Sequence, residues 1–504
     1  MRLAWLGLGL LLFGRTAPGE MLFPGDGSDE PGFVPPIVGP PPPPPPAHVA
    51  SGETTIPYPG PPVVPQARSE KKRPPKPPIM FTKIKSDRGL LDWAARPNDL
   101  NNLLKNLKQM INVDFASEIK AFDEISADPE KNPILYRTGH FHFQLSAAER
   151  QKLRDYLLKG GMIIFNTGMG SKPFYDSAKR ELQAVFPEVP VQRLASDHPI
   201  FHSYYDLNQV QYRKGVRAAG YNGTEPWFDG VTIDCRTVAV ISRWGMEIGW
   251  DPLNDDNLQG YGVEDAVKLG VNLLAYATAQ RAWAKGVVHA MEFTDTDAGT
   301  ASKMAIAQVI YDGEWKTRHA GLSVLLQQFN QRTDIPVRFT RKELKLSDSA
   351  IYDIPILYVT GHEDFRLSAA EITGLREYLK NGGLLFAEAC DGRRAFDAAF
   401  RRELAKVLPG ESLSRIGSGD QIYSMPNKVT GLAVTPALAA KLGNKSLVAP
   451  ELYAVDINGH HAVIYSSLGL CGGWELSQNP YSFGYDNAGS LALGVNILFY
   501  AITQ

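Results

Sequence analysis

Three groups of residues have types and spacings that could do chemistry. In "LLFAEACDGRRAF", Cys390 falls where an apolar run gives way to a helical pattern, with Gly392 two residues on. A thiol on such a turn, beside helix N-terminal amides that lower its pKa, suits a catalytic nucleophile. Against this, Glu388 stands two residues before it, where a nucleophile elbow carries glycine. A base is also needed, and neither His460 nor His461 is followed at the second position by an acid. A buried inert thiol and a Cys390–Cys471 disulfide are the competing readings. The second group is histidine: His140 and His142 are one residue apart, and His198 and His202 flank "PIF". His140, His142, Asp197 and His198 would offer nitrogen and oxygen ligands to zinc or a similar ion, while a loop-fixing hydrogen bond is the simpler role for each. No motif calls for any other cofactor. The third group is aromatic. Phe141, Phe143, Tyr204, Tyr205, Trp244 and Trp250 cluster in the first half, with Trp474, Tyr481, Phe483 and Tyr485 near Glu475 and Asn479 in the second. Rings beside carboxylates suit sugars or peptides, although most single rings of this kind are core. The residues that could contact such a ligand are His140, His362, Glu363, Asp364, Trp250, Asp251, Trp474 and Glu475.

These groups recur because the chain repeats. "PILYRTGHFHFQLSAAE" starts at residue 133 and "PILYVTGHEDFRLSAAE" at 355, with thirteen of seventeen positions identical at an offset of 222 (355 less 133). "YLLKGGMIIF" answers "YLKNGGLLFA", Trp93 answers Trp315, and "LGVNLLAYA" answers "LGVNILFYA". A period of this length is a domain, not a solenoid repeat.

Within each copy, short apolar runs alternate with helical periodicity, which predicts parallel strands joined by crossover helices. "PILYRTG" and "PILYVTG" read as buried strands ending at glycine. Ser146 with Glu149, and Ser368 with Glu371, fit capping boxes for the helices that follow. The "GG" at 160 and 382 stops each helix before the next strand. The unit is a right-handed βαβ crossover, and ligands of such sheets bind beyond the carboxyl ends of the strands. Gly139-His140 and Gly361-His362 therefore belong at that edge. Folding rules explain the leucines and caps around them but do not demand the imidazoles.

The strand-T-G-H unit, F-x-L-S-x-x-E, "LASDHPIFHSYYDL", the G-W-acid triplets at 249 to 251 and 473 to 475, and the closing "LGVN" together resemble a bacterial domain of unknown function numbered 4159. The resemblance covers both halves. It implies a doubly wound, mostly parallel α/β fold of the class I glutamine-amidotransferase-like kind, a flavodoxin-like three-layer sandwich, and no established activity. The second copy departs from the pattern: "IGSGDQIYSMPNKV" leaves Asp197, His198 and Pro199 without counterparts.

The remaining sequence bounds the setting. With 52 basic and 54 acidic residues the net charge is −2, so no global field draws nucleic acid. Residues 1–20 carry an eleven-residue apolar run, Leu3 to Phe13, which suits a signal peptide and is too short to span a bilayer. Residues 21–79 hold an unbroken proline run from Pro40 to Pro46 and should form a polyproline tether without a core. Two domains follow, at 80–285 and 286–504. No later segment has the apolar length of a membrane span. Three cysteines are few for an exported chain, and an odd count leaves one unpaired or bonded to another molecule. Neither copy has G-x-G-x-x-G after its first strand, and a phosphate-binding P-loop, G-x-S-x-G and H-E-x-x-H are all absent. The expectation is an exported, periplasmic or extracellular module that binds an envelope ligand or protein. A hydrolase or amidotransferase-like enzyme using Cys390 is the alternative, and a metal site in the first domain a second one. A histidine within hydrogen-bond reach of Cys390 would separate enzyme from binding module.

Overall fold

The computed structural model describes residues 77–85, 91–110, 114–286, 303–318, 320–339, 342–476 and 478–504. The leader and nearly all of the expected tether lie outside the described residues. The strands of the first domain are β1 (Ile79–Lys85), β2 (Phe115–Ala121), β3 (Ile134–Gly139), β4 (Met162–Thr167), β5 (Gln192–Arg193), β6 (Phe228–Ile233) and β7 (Arg236–Ser242). They form one sheet in the order β2-β1-β3-β4-β7-β6-β5. The pairs from β2 across to β7 are parallel, and β6 and β5 close the sheet antiparallel.

The second domain repeats this with β8 (Ile306–Ile310), β9 (Lys342–Lys345), β10 (Ile356–Gly361), β11 (Leu384–Ala389), β12 (Ser414–Arg415), β13 (Tyr453–Ile457) and β14 (His460–Ser466). Its order is β9-β8-β10-β11-β14-β13-β12, strand for strand the same. Both "PILY" strands, β3 and β10, lie between parallel neighbours, and each ends at the expected glycine.

Alternation along these strands builds two cores per domain, because successive side chains leave opposite faces of a sheet. Ile134 and Tyr136 join the helices Asp99–Met110 and Val263–Gly286 on one face. Leu135 points the other way, into the core of the helices Ala147–Leu158 and Lys172–Val185. Ile356 and Tyr358, against Leu357 and Val359, split the second domain identically. Each buried Leu, Ile or Val on these faces contributes about 1.5–3 kcal/mol. Both capping boxes form: Ser146 accepts from Glu149 N, Ser368 accepts from Glu371 N, and each glutamate returns a bond to its cap. Among the described residues no helix is long and apolar enough to cross a membrane.

Candidate functional site at the carboxyl edges of the two sheets

The two domains carry corresponding constellations at their carboxyl edges. In the second domain β11 ends at Ala389, and the turn Cys390–Gly392 leads into the helix Arg394–Val407. Asp391 has φ of 53° and Gly392 of 65°, so the turn is left-handed and tight, and a Cβ on Gly392 would lie 2.3 Å from the carbonyl oxygen of Phe483. His362 follows the end of β10, and its Nδ1 lies 3.1 Å from Glu314 Oε2. Its Nε2 is buried without a hydrogen-bond partner and lies 3.7 Å from Asp391 Oδ2. Around Cys390 Sγ sit Cys471 Sγ at 3.0 Å and Cys235 Sγ at 3.3 Å. All three cysteines of the chain therefore meet, as buried free thiols. Burial alone would push the Cys390 thiol up, but the neighbouring S–H groups and His362 prevail and hold it well below its ordinary value. Burial likewise opposes charge on His362, and Cys390 and Glu314 overcome it, raising the imidazole.

In the first domain the same offset of 222 places Gly168 opposite Cys390, His140 opposite His362 and Asp92 opposite Glu314. Asp92 Oδ2 accepts from His140 N, and a Cβ built on Gly168 would come within 2.9 Å of His140 Nε2. The histidine and acid are thus duplicated, while the thiol belongs to the second copy. Glu247 stands where the second domain has Cys471, and the buried acid moves to Glu388 in the place of Asn166. Asn166 Oδ1 accepts from Met246 N in one copy; Glu388 Oε2 accepts from Leu470 N in the other.

The second domain's edge is closed by the first domain. β6 and β7 are joined by a two-residue turn, Asp234-Cys235, whose φ values of 48° and 61° make it a left-handed hairpin turn. That turn delivers Cys235 to Cys390. Asn479 Nδ2 donates to Cys235 O at 3.0 Å, and Tyr276 stacks on Tyr481 with centroids 5.6 Å apart. Asp197 accepts from Arg394 N at 2.7 Å and pairs with Arg393, and Glu363 accepts from Ala195 N while pairing with the same arginine. Cys390 is wholly buried as a result.

The first domain's edge is left open. Phe141 is 54% exposed there. Trp244 follows β7, and Trp227 precedes its antiparallel partner β6, so both lie at this edge. With Tyr212 and Tyr221 they form a ring cluster: Tyr221 to Trp227 is 4.9 Å and Trp227 to Trp244 is 6.2 Å between centroids. The guanidinium of Arg243 lies 4.0 Å over Trp244 and that of Arg193 4.4 Å over Trp227. Arg243 also donates to the carbonyl of Gly170, just past β4, which ties this cluster to the His140 side of the edge. Neither indole N–H has a hydrogen-bond partner. Among the described residues the second domain has no such cluster at this edge, where Leu468 stands opposite Trp244 and Glu451 opposite Trp227 at the offset of 224 seen near the domain ends.

The residues singled out by sequence fall into distinct places. His140, His142, Asp197 and His198 are not gathered around a common point. His198 uses both ring nitrogens, on Thr237 Oγ1 and Ile200 N, His142 Nδ1 faces Ser177, and Asp197 is spent on Arg393 and the helix start at Arg394. The donor set expected for zinc in the first domain is therefore dispersed by the fold. Trp250 and Trp474 are core indoles that donate to Ala266 O and Ser490 O. Asp251 binds Arg96, and Glu475 binds Arg318 and caps Ala320 N and Gly321 N, so the G-W-acid triplet anchors an arginine in both copies. Glu363 lies buried at the domain contact, whereas Asp364 is exposed beside Arg402. His362 is the histidine that Cys390 lacked in the sequence reading. Cys235 and Glu314 were missed, although an acid directly before Trp93 and Trp315 in both copies was a usable signal.

Fold and edges together define a protein of two tandem three-layer α/β domains, alike in topology and unlike in their sites. The model of the family described as "Domain of unknown function (DUF4159)" matches residues 80–278 and again 305–502, and the chain belongs to that family as two tandem copies. No curated protein matches it.

Proposed function

We propose that the protein is an exported binding module, tethered by its proline-rich segment, that holds an acidic glycan of the cell envelope at the open edge of its first domain. The observation that supports this reading is the half-buried ring cluster Tyr212, Tyr221 and Trp227, packed over the buried Trp244 and flanked by Arg193 and Arg243, which stands in one copy only. Aromatic faces take the apolar faces of sugar rings, and guanidinium forks take carboxylates in two-point contacts. The partner edge, covered by the first domain, is free to serve the architecture instead. Tryptophan fluorescence titration with oligogalacturonate, beside a neutral oligosaccharide of equal length, tests the reading. Binding of the acidic oligomer is expected, weakened about tenfold or more by Arg243→Ala, since a charged hydrogen bond contributes about 1.5–3 kcal/mol. Equal response to both sugars, or no effect of the variant, would rule it out.

A second reading rests on the nearness of Cys390 and His362, whose sulfur and ring nitrogen lie within 4.8 Å of each other, with Glu314 behind the ring, an arrangement of thiol, base and orienting acid. Cys235 occupies the space a substrate would need. In the closed molecule iodoacetamide should therefore label Cys390 slowly and speed up only on unfolding. Rapid labelling of the native protein, lost in Cys390→Ser, would favour the enzyme over the module.

A further inference from the structure

We infer that the covered edge of the second domain is a metal centre, in which Cys235, Cys390, His362 and Asp391 hold one divalent ion of the zinc class between the two domains. The ligand atoms of these four buried residues all lie within 4.8 Å of one another, and among the described residues they are the group of this kind. Thiolate sulfur, imidazole nitrogen and carboxylate oxygen are all zinc donors, and closed structural sites hold four ligands in a tetrahedron. Two sulfurs on one tetrahedral zinc stand about 3.8 Å apart, from bond lengths of about 2.3 Å. The 3.3 Å between Cys235 and Cys390 asks them to part by about half an ångström.

Three further observations point to an ion. The first is the imidazole. Its Nε2 is buried and has no hydrogen-bond partner, although the residue is only 4% exposed. An unpaired buried nitrogen is costly, and a metal bond would satisfy it. The second is the support around the ligands. Glu314 on Nδ1 is the carboxylate that characteristically orients a metal-bound histidine, and Arg318 Nη2 lies 3.4 Å from the Asp391 carboxylate. The third is the backbone of Cys235. A non-glycine residue at φ of 61° is strained, and the corresponding hairpin of the second domain, Asn458-Gly459, has glycine at that place. Cysteine stands in the first domain where glycine would be easier, and its thiol is the part that reaches the other domain. Cys471, also close to Cys390, lies outside the four-ligand group and would donate its S–H to the Cys390 sulfur.

Elemental analysis of the intact purified protein should find about one zinc per chain, and cobalt(II) added to chelator-treated protein should give thiolate charge-transfer absorption with the strong visible bands of tetrahedral cobalt. The deciding variant is Cys235→Gly, which relieves the turn instead of straining it. The variant also loses the buried S–H that donates to Thr317 O at 3.2 Å, so its folding is checked by a melt beside the metal-free wild type, and it should bind zinc about 100-fold or more weakly. Glu314→Gln should weaken zinc about 10- to 100-fold while keeping the cobalt spectrum, and Cys471→Ser should leave affinity unchanged. Absence of bound metal together with a featureless cobalt titration would overturn the inference, as would wild-type affinity in Cys235→Gly.

Discussion

At the scale of single residues the two T-G-H histidines show how one motif diverges. Both follow the last residue of a central strand, and both have an acid behind them, but their surroundings differ. His140 is half-buried, and burial lowers its pKa while Asp92 pulls the other way. His362 is enclosed, bonded to Glu314 through Nδ1 and faced by thiols. Removing the second ring strands a buried carboxylate, and that group cannot recover water. His362→Ala should therefore lower stability by about 1–3 kcal/mol, the cost of leaving a buried group unpaired, and His140→Ala by less. Chemical denaturation of both variants in the presence of chelator, which removes any metal contribution, checks the order. Equal and negligible effects would mean that neither ring fixes its loop.

At the scale of elements, what was legible in the sequence was what local physics dictates. The strand, capped helix, glycine stop and strand were readable because each signal is contained in a few residues: the alternation of "PILY", the S-x-x-E boxes, the paired glycines. The repeat then supplied the tandem architecture, since a matched offset needs no knowledge of packing. Less was legible wherever a side chain's role depends on a distant element. Asp197 was read as a ligand because nothing local reveals Arg393, which reaches it from the other domain. The G-W-acid triplet was read as a ligand contact, yet its acid meets an arginine more than 150 residues earlier in the chain, separations of 155 for Arg96–Asp251 and 157 for Arg318–Glu475. Cys235 was the hardest case. Its neighbours come from the residue after β10, the turn after β11 and the short helix Cys471–Trp474, so only the docking of one domain on another creates the group. The strained turn that carries it is invisible until the hairpin is seen, although "DC" standing where the second copy has "NG" is a local trace of it.

At the scale of the whole molecule the two copies have divided their labour. One offers its edge to solvent, and the other spends its edge on the contact that joins them. The Asp197 contact lies at that junction, and its electrostatics give the docking a pH dependence of definite sign. Burial opposes ionisation of Asp197, but the Arg393 guanidinium and the N–H groups of Arg394 and Ala395 prevail, so its pKa is lowered from the ordinary value. A carboxylate with a depressed folded pKa stabilises above its unfolded value of about 4, and the contribution is lost as pH falls through the lower folded value. Asp197→Asn keeps the size and removes the charge. At neutral pH the variant should be about 1–3 kcal/mol less stable than the wild type, the worth of hydrogen bonds to a charged group. Below about pH 4, where the unfolded state takes up the proton, the gap should narrow, and it should close once the pH has passed the lowered folded value and the native acid is protonated as well. Paired denaturation curves from neutral to acid pH measure the gap directly and cancel the titration of every other carboxylate. A gap that stayed constant across that range would show that Asp197 holds the domains by shape and not by charge. A gap that closes on acidification would locate a charge-dependent share of the docking energy in this one contact between the copies.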